Sequence, residues 1–158
     1  MNQVVARSVE EVITQLRQRL HPRRAMIVGI DGPHREDRST LARRLAAELG
    51  ISVVELDLFL PVDALWPDLC LGDLWRVLHS CLDRDWPVIV EGVCLLRVLR
   101  ELPLPCDVLV YVRRNRDMLS KAGNEVLSLR VITGYQREFQ PEAHADLIYT
   151  WSEPCVAG

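Results

Sequence analysis

Lysine is all but absent from this sequence: Lys121 is its one lysine, and arginine supplies the rest of the 19 basic side chains. Codon usage accounts for such a bias as readily as chemistry does, so it excludes nothing alone. A positive excess is missing too. With 22 acidic residues, a formal net charge of -3 and a pI near 5.8, the chain lacks the basic footprint that nucleic acid or an anionic membrane requires, and neither is expected as a partner. No apolar run approaches the ~20 residues that span a bilayer. The opening stretch MNQVVARSVEEV has no long apolar segment of the kind a signal peptide carries, so a cytoplasmic protein is expected. Paired cysteines are missing as well. Cys70, Cys81, Cys94, Cys106 and Cys155 are odd in number, scattered and without a Cys-x-x-Cys spacing. That argues against a disulfide framework or a zinc site and for buried thiols. There is no internal repeat, low-complexity tract or linker.

What is present suits one well-cored domain over residues 1–158, since the chain has 158 residues and is 49% hydrophobic. SVEEVITQLRQRL places Ser8 three residues before Glu11, as a capping box does, and sets Val9, Val12, Ile13, Leu16 and Leu20 at helical spacing. Residues 1–22 are therefore read as an extra N-terminal helix packed on the domain, ended by HPRR. AMIVGI is apolar without alternation, the pattern of a strand buried on both faces of a parallel sheet. Ser39 to Leu49 carries Leu41, Ala42, Leu45, Ala46 and Leu49 on one face, and Gly50 supplies a stop. The alternation continues with ISVVEL as strand, about Leu71 to Leu82 as helix, PVIVEG as strand, CLLRVLREL as helix and CDVLVYV as strand. From Arg113 to Gln140 the reading is helix, interrupted near Gly123 and again near Gly134, and ADLIYTW supplies a fifth strand. Repeated strand and helix units imply an α/β sandwich with a mostly parallel sheet.

Between the first buried strand and its helix lies GPHREDRST, Gly32 to Thr40. It resembles a Walker A loop, G-x-x-x-x-G-K-[ST], with Gly32 at the first glycine, Asp37 at the second, Arg38 at the lysine and Ser39 at the magnesium hydroxyl. The rest of the chain after residue 24 is similar, in order and spacing, to the uridine kinase and related small-molecule kinase branch of the P-loop fold. IVGIDGP and STLARRLAAELG resemble the flanks of that loop, VVELDLFL its second strand, VIVEG its Walker B-like strand, RRNRD a compressed set of lid arginines and ADLIY its last strand. The fold this implies is a three-layer P-loop sandwich with five strands in the order 2-3-1-4-5.

The resemblance also implies a chemistry, in which ATP gives its γ-phosphoryl group to a hydroxyl of a small acceptor. Gly32, Pro33, His34, Arg35, Glu36, Asp37, Arg38, Ser39 and Thr40 would cradle the phosphates with backbone N–H groups and the helix end. Ser39 and Glu91 would hold Mg²⁺, Asp57 would act as general base, and Arg38 with Arg113, Arg114 or Arg116 would meet the transferring group. Plainer readings stand beside these. Asp57 can cap a turn, Glu91 can begin a helix, Ser39 and Thr40 can cap one, and His34, Arg35 and Glu36 read best as a solvated charged turn. His79 and His144 show no metal spacing, and Trp66, Trp75 and Trp86 read as core or interface.

Two residues oppose the kinase chemistry directly. Asp37 puts a carboxylate where glycine lets the backbone approach phosphate. At about 4 Å from a phosphate charge it would repel by ~1 kcal/mol in water and by several at an effective dielectric near 20. Arg38 keeps the charge of a lysine but not its shape. Leu60, where the family carries a tyrosine near the acceptor, departs as well. Three functions therefore remain open: a kinase-type phosphotransferase with impaired or lost activity; a pseudokinase binding a nucleotide, phosphometabolite, phosphate, sulfate or nothing; and a structural or oligomeric protein, such as a homodimer.

Overall fold

The computed structural model describes residues 3–61, 68–114 and 126–151. The order of elements is β1 (Val4–Ala6), α1 (Val9–Arg19), β2 (Ile27–Asp31), α2 (Arg35–Leu49), β3 (Ser52–Glu55), a 3-10 turn (Leu56–Phe59), α3 (Leu71–Leu82), β4 (Val88–Glu91), α4 (Leu95–Glu101), β5 (Val108–Arg114), α5 (Val126–Phe139), α6 (Pro141–His144) and β6 (Leu147–Trp151). The strands form one sheet in the order β1-β6-β5-β2-β4-β3. Every neighbouring pair is parallel.

The sheet has six strands, not the expected five. The five keep the expected relative order, and β1 is added beyond β6. β1 has only three residues, too few to alternate. Its place comes from Val4 pairing with Leu147, and Gln3 fastens the same edge by donating from Nε2 to the carbonyls of Glu142 and Ala145.

Side chains leave the central strands alternately and build two apolar layers. Val28, Ile30, Ile89, Val110 and Val112 pack with Val12 and Leu16 of α1 and with Leu41 and Leu45 of α2. Ile27, Val88, Val90, Leu109 and Tyr111 pack with Leu74 and Leu78 of α3 and with Leu95 and Leu99 of α4. Period-two alternation in strands buried on both faces thus produces the three-layer sandwich. Helix α1 begins as expected, with Ser8 Oγ accepting from the Glu11 amide at 3.2 Å. Helix α5 runs through Gly134 without the expected break. The expected interruption at Gly123 lies outside the described residues, as do Trp66, Arg116, Lys121 and Cys155. No helix among the described residues is long and apolar enough to cross a membrane.

Candidate functional site

Parallel strands of this kind deliver their functional residues at their C-terminal ends. At the end of β2 the chain turns through Gly32, Pro33 and His34, and α2 then begins at Arg35. The expected start at Ser39 is therefore wrong, because the residues read as a phosphate loop already form the first turn of the helix. Their own chemistry explains it. Glu36 and Asp37 lie in that first turn, where the positive end of the helix favours anions, and no glycine interrupts the turn. The Arg38 amide donates to the His34 carbonyl at 3.2 Å, so it is committed to the helix.

Burying this segment turns its charges on one another. The Asp37 side chain is 4% exposed and receives both prongs of Arg114: Nε donates to Oδ2 at 2.7 Å and Nη2 to Oδ1 at 3.1 Å. Arg38, 2% exposed, reaches Glu91, 1% exposed, with Nε 3.2 Å from Oε2. Its Nη1 donates to the Gly32 carbonyl. Ser39 Oγ donates to the other Glu91 oxygen at 2.8 Å. Burial pushes the Glu91 carboxyl above the usual carboxylate range, with the Arg38 charge and the Ser39 hydrogen bond pulling against it.

The remaining candidates divide. Asp57, in the 3-10 turn, is paired with Arg35, whose Nε lies 2.8 Å from its Oδ2. Arg113 points away from this cluster, donating to Thr150 Oγ1 at 3.2 Å and Glu142 Oε1 at 2.9 Å. Adjacent residues on β5 leave opposite faces, so Arg113 and Arg114 cannot converge on one phosphoryl group from the strand itself. Glu36 and Thr40 are exposed, and Pro33 and His34 are half-buried.

Mg-ATP would have to displace contacts that these residues already make. The Ser39 hydroxyl proton and the Arg38 guanidinium both go to Glu91, where a metal would have to displace them. The Asp37 carboxylate already occupies the Arg114 fork. Among the described residues no group of three or more His, Cys, Asp or Glu could hold a metal ion.

Asp31 and Tyr135 escaped the sequence reading. Asp31 is buried; its Oδ1 accepts from the Gly32 amide at 2.7 Å and its Oδ2 from the Tyr135 hydroxyl. Tyr135 also accepts from the Leu96 amide at 3.2 Å, so the base of the turn is tied to α4 and α5. A carboxylate ending an apolar strand was the available signal for Asp31, but Tyr135 lies in a stretch that reads only as polar helix. The space between Asp31, Gly32, Pro33, Tyr111 and Tyr135 leaves no room for a water molecule. Burial accordingly raises the Asp31 carboxyl from 3.8 to about 6, Glu91 adding to the rise and Tyr135, Gly32 and Arg38 opposing it.

A raised acid binds its proton more tightly in the folded than in the unfolded state. The stability it contributes is complete below about pH 4 and is lost as pH rises to about 6, by ~3 kcal/mol. Asp31→Asn is expected to remove that part of the slope. Urea unfolding of both proteins at several pH values from about 4 to 7 measures it; parallel curves would contradict the assignment.

No family model matches the sequence, and no curated protein matches it. Solved structures do. The chain is similar to a possible uridine kinase from Bacillus stearothermophilus, with 15% identity, 89% of this chain and 96% of that chain covered, and a TM-score of 0.61. It is similar to a candidate fructose transport system kinase from Silicibacter sp. TM1040, with 20% identity, coverage of 93% and 100%, and a TM-score of 0.56. A sugar kinase from Janibacter sp. HTCC2649 gives 16% identity, coverage of 79% and 84%, and a TM-score of 0.50. At these identities the likeness establishes the fold.

Proposed function

We propose that this chain, a P-loop kinase by fold, does not transfer phosphate from Mg-ATP and works instead as a non-catalytic interaction protein of the cytoplasm. The observation that carries the reading is the buried Asp37 carboxylate held in the fork of Arg114. With its fork filled by Asp37, Arg114 cannot offer the same two donors to a phosphate. Arg38 supports the same reading, because its charge is spent on Glu91.

Two clefts on the surface have volumes of about 280 and 300 Å³, the small end of the range for ligand sites. Leu58 of the 3-10 turn is 76% exposed and Trp75 of the adjoining α3 is 39% exposed, which suits contact with a protein partner, either a second copy or another chain.

Calorimetric titration with Mg-ATP, ADP and inorganic phosphate tests the reading. No heat is expected at ligand concentrations of about 1 mM; binding with a Kd of about 10 μM would sink it. One observation favours a phosphotransferase: Ser39 of α2 bonds Glu91 at the end of β4, and Asp57, in the turn after β3, lies close enough to act on the Glu91 charge, where it could take a proton from an acceptor hydroxyl. On that reading, Asp37→Gly with Arg38→Lys would tighten ATP binding about 30-fold or more.

A further inference from the structure

We propose that Asp37 is a built-in oxyanion: its carboxylate occupies on Arg114 the place of a ligand's anionic group and makes the bridge from α2 to the end of β5 permanent. A guanidinium presenting Nε and one Nη to two oxygens of a planar or tetrahedral anion is the fork by which arginine recognises carboxylate and phosphate alike. Both prongs are used here, at 2.7 and 3.1 Å. The anion is also placed in the first turn of a 15-residue helix, whose positive end favours it.

An arginine fork and a helix end are thus both turned on one buried carboxylate that belongs to the chain. Asp37 and Arg114 lie 77 positions apart in the sequence, so no local turn requires them to meet. An ordinary surface ion pair would leave its carboxylate in water. This one is 4% exposed, while the arginine is 25% exposed.

The inference rests on the non-catalytic reading, and its test separates the two. Asp37→Ala removes the carboxylate and leaves the fork and the helix end in place. Its melting temperature is expected to fall by about 5 °C or more. Inorganic phosphate at about 50 mM, compared with chloride at matched ionic strength, is expected to restore at least half of that loss. The wild-type protein should gain only the small general stabilisation that phosphate gives any folded chain, and Asp37→Ala combined with Arg114→Gln should gain no more.

If Asp37→Ala does not fold, Asp37→Ser, which also vacates the place of the carboxylate, carries the same comparison. Equal responses of variant and wild type, or none from the variant, overturn the proposal. Heat from Mg-ATP on the wild-type protein would instead overturn the non-catalytic reading. An unresponsive variant beside a silent wild type removes the built-in oxyanion alone.

Discussion

Arg38→Ala is expected to lower stability by about 3–5 kcal/mol, read from urea unfolding at neutral pH. Among the described residues the side chain removed is the one guanidinium hydrogen-bonded to Glu91, and both groups are almost wholly buried, at 2% and 1% exposure. What the deletion leaves behind decides the size of the effect. Among the described residues Glu91 would keep the hydrogen bond from Ser39 and lose the cation paired with it, in a site that already raises its pKa by burial. The variant can relieve this only by protonating Glu91, so its deficit should shrink as pH falls.

Combining Arg38→Met with Glu91→Gln should recover most of the loss, because a buried ion pair replaced as a unit often costs little. A loss below ~1 kcal/mol for Arg38→Ala would mean that water reaches Glu91 and that the pair is not a closed unit. The total stability of a domain is ~5–15 kcal/mol, so the expected loss would be visible as a large shift in the unfolding midpoint.

Gly32→Ala should cost about 2–5 kcal/mol, for two reasons that add. Gly32 has φ +152°, a conformation side chains rarely adopt. A Cβ built on it would also lie 2.3 Å from the carbonyl oxygen of Val112. Val112 belongs to β5, paired with β2 on one side and β6 on the other, so the backbone that would have to yield is held from both sides. The damage would extend to Arg38, which donates to the Gly32 carbonyl. Thermal unfolding measures the total, and a change of less than ~1 kcal/mol would show that the turn can move away from β5 freely.

Much of the fold could be read from residue order because the strongest signals were local and repeated. AMIVGI, PVIVEG and CDVLVYV are apolar runs bounded by breakers, and each became a central strand at β2, β4 or β5. The five apolar residues assigned to one face of α1 are all buried. β1 was missed because Val4 and Val5 alone carry no period, and their partner strand is far away in sequence. The start of α2 was misplaced for a different reason. A motif matched residue by residue imposed the family's loop on HRED, while the helix-favouring acids in that stretch pointed elsewhere.

At the site, residue types were legible and pairings were not. Asp37 was visibly out of place, but nothing in its neighbours names Arg114. Arg38 and Glu91 were assigned to phosphate and metal, and their mutual contact depends on how far α2 and β4 are drawn together by the core. Asp31 and Tyr135 meet only when α5 has packed, so no window of sequence contains their relation.

The edge strand β1 has one neighbour in the sheet, and that neighbour is the last strand in sequence. Joining them closes a loop of nearly the whole chain, an entropic cost that local pairing can offset only after the intervening elements have ordered. Val4–Ala6 are therefore expected to settle late in folding, onto a surface that β6 provides. Arg19 of α1 is bound to the same late edge through Asp146 at 3.3 Å. The beginning of the chain acts as the seam that closes the fold, and substitutions at that edge should raise the unfolding rate more than they lower the refolding rate.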